Sequence, residues 1–487
     1  MKKILGFVTV CILAVLGVVV YRGATFQSVQ MPSAPMGPIS VEVGQAARHL
    51  SAALQFQTIS YGVQAPLSKD AFEAFHHFLE TTYPGAHGAL DREIVGGFSL
   101  LYTWRGSDPT LKPLLIMGHF DVVPVPPDTL TDWGQPPFGG AIVDEVIWGR
   151  GALDDKVNVI GAMEAVEWLL MEGFQPRRTL HLAFGHDEEV GGEQGAVKIA
   201  ALLEERGTEL ECVVDEGGSI VADTMPGVDA PVALIGIAEK GYLNLTLSVK
   251  QSGGHSSMPP DRSAIGILAA AITRLEDHPF PASISGPSLE MFATFGPEMP
   301  FVQRMVFANL WLSKPLVKRL LSGAPETNAM LRTTTAVTMM NGGVKDNVLP
   351  TEATATVNFR IMPGETTESV IARVREVIAD ERVTIEPAEG SLREPSIVSN
   401  TGAPAYQLLV KTIRQVCPDV LAGPYLVLGG TDARHYEGVT SNIYRFTPIR
   451  LGKGDTAMLH GTNERIRVDN FGEVCRFYVQ LVRNFNL

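Results

Sequence analysis

The sequence predicts an α/β protein: a mostly parallel sheet with helices on both faces, a smaller α+β domain inserted into it, and a transmembrane helix at the N-terminus. Three observations predict this. Short, continuously apolar runs such as "PLLIMGHFDVVPV" (113–125), "RTLHLAFGHDEE" (178–189) and "LECVVDEGG" (210–218) alternate with helical segments, as strands buried on both faces do. From about Lys240 the texture changes to a period of two, "GYLNLTLSVKQSGGHSS", the mark of a half-exposed strand. At the start, "MKK" precedes an uncharged apolar run from Ile4 to Val20.

The 487 residues allow two or three domains of roughly 100–200 residues each. A composition 45% hydrophobic and 19% charged supports sizeable cores. With 39 Lys and Arg against 53 Asp and Glu the formal charge is −14, and no basic patch interleaved with aromatics occurs, which argues against nucleic acid as a partner. Cys11 lies in the apolar run; Cys212, Cys417 and Cys475 are too widely spaced for a disulfide framework and read as buried thiols.

Residues 1–22 read as a signal anchor, oriented N-in and C-out by the "MKK" start, with a cleaved signal peptide as the alternative. The body is then held on the exported side of a membrane (periplasmic, lumenal or extracellular), or secreted if the segment is cleaved. Residues 23–40, polar and proline-bearing, read as a tether. Residues 41–239 form the first part of the α/β domain, in which "NVIGAMEAVEWLLMEG" is an amphipathic helix closed by Gly173. Residues 240–392 form the insertion: strand, helix ("SAIGILAAAITRLED"), two strands ("TTTAVTMMNGG" and "NVLPTEATATVNFRIMPG"), helix ("TTESVIARVREVIAD") and strand ("RVTIEPA"). Residues 393–487 return to α/β and finish in a helix from about Asp469. Inside the insertion, 279–325 is rich in Phe, Met, Leu and Pro. It reads first as a helical pair completing the smaller domain's core, with an apolar wall for a greasy substrate or a membrane-facing surface as alternatives.

Ligands gather at the carboxyl ends of strands in such sheets. There the chain places His119 and Asp121, Glu188 and Glu189, and Asp215 and Glu216, with Asp154 in a loop before a helix and His460 far downstream. Buried carboxylates are expensive unless paired or bound to metal. Imidazole plus carboxylate without clustered cysteine suits zinc or a related divalent ion. A lone strand-end Asp is usually a turn or cap residue; the ordered set is a stronger signal. Five candidates (His119, Asp154, Glu189, Asp215 and His460) give six contacts to two ions if one carboxylate bridges.

"GHFDVVPV", "WGRGALDDK", "GHDEEVGG" and "DEGG", in that order, make the chain resemble the co-catalytic zinc metallopeptidases that include carboxypeptidase S, aminoacylase, acetylornithine deacetylase and succinyl-diaminopimelate desuccinylase. The resemblance runs from about Val41 to the C-terminus and is nearest to the carboxypeptidase S branch with its N-fatty-acyl-amino-acid hydrolase/synthase relatives. It implies two Zn²⁺ ions, replaceable by Co²⁺ or Mn²⁺. His119 and Asp215 would hold the first, Glu189 and His460 the second, with Asp154 bridging and Asp121 orienting His119. Glu188 would be the general base toward the attacking water. The division of labour between Glu188 and Glu189 is expected from an extended strand end, whose successive side chains point to opposite sides; His186 and Asp187 would shape the turn. Position 215 is Asp where many relatives have Glu. The resemblance also implies a cis Asp154–Asp155 bond, and a role for His255 of "SGGHSSMP" at the oxyanion, in some dimers from the partner subunit. Asn347, Arg360, Gly430, Thr431 and Arg434 would hold the substrate's carboxylate and carbonyl. Arg360 can instead be a structural ion-pair partner, and Asp432 and His435 structural. The inserted domain would act as a lid and dimerisation surface, leaving a monomer or homodimer.

The implied activity is hydrolysis of the amide bond of N-acyl amino acids or short peptides with a free C-terminus, with hydrophobic acyl groups favoured on account of 279–325. One rival is a di/tripeptidase or aminopeptidase on the same metal site. The other is a catalytically dead membrane-tethered binding protein, which predicts a missing ligand or base; none is missing.

Overall fold

Three apolar strands, Leu180–Gly185, Leu114–His119 and Cys212–Asp215, lie side by side and parallel, with His119 opposite Gly185 and Ile116 opposite Val214. Their carboxyl ends therefore open at one edge, and the loops that follow carry the His and carboxylate residues. The computed structural model describes the chain except residues 33–35, 37–38, 40, 63–64, 224 and 487, so part of the expected 23–40 tether lies outside the described residues.

These strands belong to a ten-stranded sheet. It is mixed rather than mostly parallel. Ser99–Trp104 joins Leu180–Gly185 antiparallel, and Ile443–Arg445 pairs parallel with Cys212–Asp215 but antiparallel with Val232–Glu239. Side chains alternate between two cores, as the strand period dictates. Leu114 and Ile116 enter one beneath the helices Lys156–Met171 and Val468–Phe485; Leu115 and Met117 enter the other beneath Ala196–Glu205. Lys156–Met171 is buried nearly all round rather than on one stripe, because Val468–Phe485 covers the side turned from the sheet. Gly161 permits this approach: a Cβ there would lie 2.8 Å from the Val474 side chain. Cys212, Cys417 and Cys475 are free and buried.

A second sheet of four strands runs in the order Thr334–Gly342, Glu352–Ile361, Gly241–Lys250, Thr384–Pro387. Its burial alternates along Gly241–Lys250, as the period of two predicts, and Leu243, Leu245 and Leu247 meet Ile267, Val370 and Val374 of the helices Ala264–Asp277 and Thr367–Ile378.

Of the segment 279–325, Phe280 joins that core, its ring centroid 6.1 Å from that of Phe359, but the helices that follow do not complete it. Met291, Phe292, Phe295 and Val317 join the large sheet's core instead, and Phe295 presses on Gly423 of the strand Leu421–Val427. The N-terminal helix spans Lys2–Thr25, 24 residues of mean hydropathy 2.8 in its most apolar window, long and apolar enough to cross a membrane by length and composition. The described residues that follow lie on the body: Gln30 exchanges two hydrogen bonds with the Ala422 backbone, at 3.0 and 2.9 Å.

Candidate metal centre

Two trios of ligand-type groups meet at the carboxyl edge of the large sheet: His119, Asp154 and Glu216, and Asp154, Glu189 and His460. Asp154 belongs to both. Its Oδ1 lies 3.0 Å from His119 Nε2 and its Oδ2 3.0 Å from His460 Nε2. Glu216 Oε1 is 3.4 Å from His119 Nε2, and Glu189 Oε2 is 3.2 Å from His460 Nε2. Glu188 stands behind the first trio, its Oε2 3.9 Å from His119 Nε2.

The sequence expectation for Asp215 needs correction. Asp215 ends a strand and points into the protein, where its Oδ2 accepts the Ala433 N–H at 3.0 Å. Glu216, one residue on, turns its carboxylate into the cluster. Of the two acids of "DEGG" it is therefore Glu216, not Asp215, that joins His119 and Asp154. The adjacent glutamates diverge for a reason other than strand alternation. Residues Glu188–Val190 form a 3₁₀ turn whose start is fixed by Asp121, which accepts the N–H of Glu188 at 3.1 Å and of Glu189 at 3.2 Å. Gly191 and Gly192 then leave with φ of 109° and 73°, and a Cβ at Gly192 would sit 2.1 Å from Asp432 Oδ1. His186 and Asp187 shape this turn: His186 Nδ1 pairs with Ser99 Oγ at 2.6 Å, and Asp187 accepts the Gln194 N–H at 2.7 Å.

The donor set fits a cation. His119 Nδ1 lies 3.0 Å from the Asp121 carbonyl oxygen, which can only accept, so Nδ1 carries the proton. With a cation bound, a neutral His119 would give it the Nε2 lone pair beside the Asp154 and Glu216 carboxylates; with none, burial opposes its protonated form but the carboxylates around the ring favour it and hold its pKa well above the ordinary imidazole value. Glu189 Oε1 is buried with no hydrogen-bond partner among the described residues. Burial, then the Asp154 charge, pushes Glu216 up to about 8. Burial, with Asp432, Glu216 and Glu189 adding to it against the pull of His119, holds Glu188 well above the carboxylate range. Hydrogen bonds to Asp154 and Glu189 raise His460 to about 10. Burial opposes ionisation of Asp154, but His119 and His460 outweigh it and hold its carboxyl low.

The Asp154–Asp155 bond is cis, as the resemblance implies. The Asp154 loop is held by two residues that sequence reasoning missed. Fully buried Glu464 accepts the N–H groups of Gly151, Leu153 and Asp154 on Oε1 at 3.0, 2.7 and 3.1 Å. Its Oε2 pairs with Arg150 at 2.7 Å, and Arg150 reaches the carbonyl oxygens of His460 and Gly461 at 3.2 and 2.9 Å. The loops carrying Asp154 and His460 are thereby joined. The Arg of "WGRG" was the signal available in the sequence.

Glu188, Glu189, Gly430 and His460 border two cavities. One, of about 320 Å³, reaches Asp154, Glu216 and Thr431. The other, of about 500 Å³, carries Lys240, Tyr242, Arg360, Arg393 and Arg434. Arg360 lies 4.7 Å over the Tyr242 ring and makes no ion pair among the described residues. Thr431 donates its hydroxyl to Glu239 Oε1 at 2.7 Å and accepts the Ala433 N–H at 3.3 Å, which positions the "GGTDAR" loop at the border of the smaller cavity. Asp432 is buried with its Oδ1 unpartnered among the described residues, and His435 Nε2 lies 3.3 Å from the Gly191 carbonyl. His255 and Asn347 are not brought to this cluster. They meet on the exposed Gly254–His255 and Val348–Leu349 pair, where the Asn347 carbonyl accepts the Ser256 N–H at 3.2 Å, and neither lines these cavities. No residue of 279–325 lines them either, so that segment is not an apolar wall of this site.

Both the sheet and the site are those of a metal-dependent hydrolase. A profile of the peptidase family M20/M25/M40 matches residues 115–484, and the chain belongs to that family. It is 43% identical over 444 residues to "Probable carboxypeptidase S-like 2" of Dictyostelium discoideum, covering 90% of this chain and 85% of that one. It is 40% identical over 439 residues to "N-fatty-acyl-amino acid synthase/hydrolase PM20D1" of Homo sapiens, covering 89% and 86%. Among solved structures it is similar to an M20 family metallo-carboxypeptidase, Sso-CP2, from Sulfolobus solfataricus, with TM-score 0.64 and 18% identity over 92% of this chain and 100% of that one, a likeness of fold.

Proposed function

We propose that the protein hydrolyses the amide bond of N-acyl amino acids or short peptides that carry a free C-terminal carboxylate. The observation that carries this is the joining of Glu188 to three arginines, Arg360, Arg393 and Arg434, in one cavity. Guanidinium groups suit a carboxylate, and a base at the same wall places the scissile bond beside it. His119, Asp154 and Glu216 would hold one divalent ion and Asp154, Glu189 and His460 a second, zinc fitting this imidazole–carboxylate set and Co²⁺ or Mn²⁺ substituting. When bound, the metal lowers the pKa of water and polarises the carbonyl. Glu188 takes the proton of the attacking water and delivers it to the leaving nitrogen as the C–N bond breaks. Asp121 keeps the Nε2 of His119 turned inward and holds the Glu188 turn. The backbone around Gly430 leaves room for the substrate beside Arg434.

His255 stands exposed on the smaller sheet's side of the chain, and we assign it to the oxyanion of a second copy, with Asn347 beside it. The exposed edge strand Thr334–Gly342, with Met339 and Met340 outward, is the dimerisation surface this requires. Residues 41–239 and 393–487, with the helices of 279–325 that pack on the large sheet, act as the catalytic domain and the rest of 240–392 as lid. The helix Lys2–Thr25 anchors the body on the exported side of a membrane. The preference for hydrophobic acyl groups rests on the relatives' printed activity, since 279–325 lies outside the cavities.

A substrate panel on the full chain tests the reading: N-oleoyl, N-acetyl and N-peptidyl amino acids, each also as its C-terminal amide. Cleavage of the free acids with loss of turnover on the amides is expected. Equal cleavage of the amides, or a requirement for a free N-terminal amine, would favour an aminopeptidase.

A further inference from the structure

We infer that the helical hairpin Phe301–Leu321 is a second membrane contact, a platform that lies in the headgroup region of the leaflet beside the N-terminal helix. The inference rests on the reading of Lys2–Thr25 as a membrane span.

The hairpin comprises helices Phe301–Ala308 and Leu310–Leu321. Its inner side is fixed to the body through Val317, 3% exposed. Its outer side is apolar where a soluble surface would be polar. Leu312, Leu316 and Leu320 recur every four residues along one face and are 52%, 53% and 66% exposed, with Trp311 beside them at 57%. Phe301 and Val302 extend the patch at 46% and 68%. Arg319, next to Leu320 in the chain, is exposed too, and a long basic side chain can reach headgroups while its stem stays in apolar surroundings. An amphipathic face of Leu, Phe and Trp with basic neighbours matches helices that lie in the plane of a bilayer.

The occupant is set by what already touches the hairpin. The apolar helix docks on it directly. Asn309 Nδ2 donates to the Val19 carbonyl at 3.0 Å, and Arg22 Nε donates to the Ala308 carbonyl at 3.1 Å. Gly23 is buried against Met305. The next residue past the helix, Phe26, packs on Gly296. No slack separates the helix end from the body. A bilayer that contains Ile4 to Val20 therefore has its surface at Tyr21 and Arg22, the level of the hairpin. Trp311 then takes the interfacial depth that tryptophan favours.

The test uses the full chain in phosphatidylcholine vesicles, plain or brominated at the upper acyl carbons. Of five tryptophans only Trp311 is exposed in the structure. Flotation with the vesicles reports the helix; quenching by bromolipid reports the platform. The expected result is flotation with loss of about a fifth of the tryptophan emission in brominated vesicles, one residue in five, and no such loss in Trp311→Phe. Leu316→Trp, on the same exposed face, should add a second quenched component. Flotation without bromolipid quenching in either protein overturns the platform and leaves the anchor standing. That result with Trp311 also shielded from aqueous iodide would mean a second copy covers the face. Failure to float contradicts both readings.

Discussion

Glu188 and Glu189 are chain neighbours with separate surroundings, and Asp121 is the reason: one carboxylate receives both backbone N–H groups and also faces His119. The sequence made the residues legible because His and carboxylates at strand ends have few cheap structural explanations. It did not place Asp215 and Glu216, because which of two adjacent acids turns inward depends on the residue at which the strand stops. Glu464 was illegible for a related reason: its partners are backbone N–H groups some 310 residues earlier in the chain, and no local pattern marks it. At this scale, Glu464→Gln keeps an acceptor oxygen but loses the charge facing Arg150. Zinc affinity is expected to fall about 10-fold to 100-fold, as for residues that support metal ligands, with little change in KM of the loaded enzyme. Competition with a chelator measures it.

Among the elements, the central strands were read correctly because continuous apolar runs ending in polar residues have one simple reading in an α/β chain. The edges were not. Ser99–Trp104 turns the sheet mixed, and its antiparallel pairing is a matter of connection, not composition. The helix Lys156–Met171 shows a further limit: its far side is buried only because Val468–Phe485 arrives from the other end of the chain. At its first residue Lys156 is fully buried, its Nζ donating to the carbonyls of Ala53 and Phe56 at 3.0 and 2.6 Å near the end of helix Val43–Ala53. Burial lowers its pKa to about 7 from the ordinary 10.5. The unfolded chain then binds this proton more tightly, so between about pH 7 and 10.5 the unfolded state holds more protons and this lysine makes stability rise with pH. Below about pH 7 the ammonium is present in both states and the slope vanishes. Lys156→Met is expected to flatten that rise, read from urea midpoints across the range.

For the whole molecule, the chain returns to the large sheet through Leu421–Val427 and Ile443–Arg445, and the change of period near Lys240 was the sequence signal of where it leaves. The placement of 279–325 was not legible: its composition marks it as apolar, and only the fold shows that its inner side covers the large sheet while its outer side stays bare. The separation of His255 from the carboxylate cluster has a consequence for catalysis. If each site borrows His255 from a second copy, Glu188→Gln and His255→Ala are each inactive alone but complement each other when mixed. After subunit exchange half the dimers are mixed and each has one complete site, so about a quarter of the original activity returns. No recovery on mixing would place His255 in its own subunit's site or outside the reaction.

The central claim is that Glu188 moves the proton while its neighbours hold the metal. Bound zinc and turnover of an N-acyl amino acid, measured together on Glu188→Gln, test it most directly. The account predicts full zinc content with turnover lowered about 10²-fold to 10⁴-fold, the range of a lost general base. Unchanged turnover, or loss of the zinc itself, would contradict it.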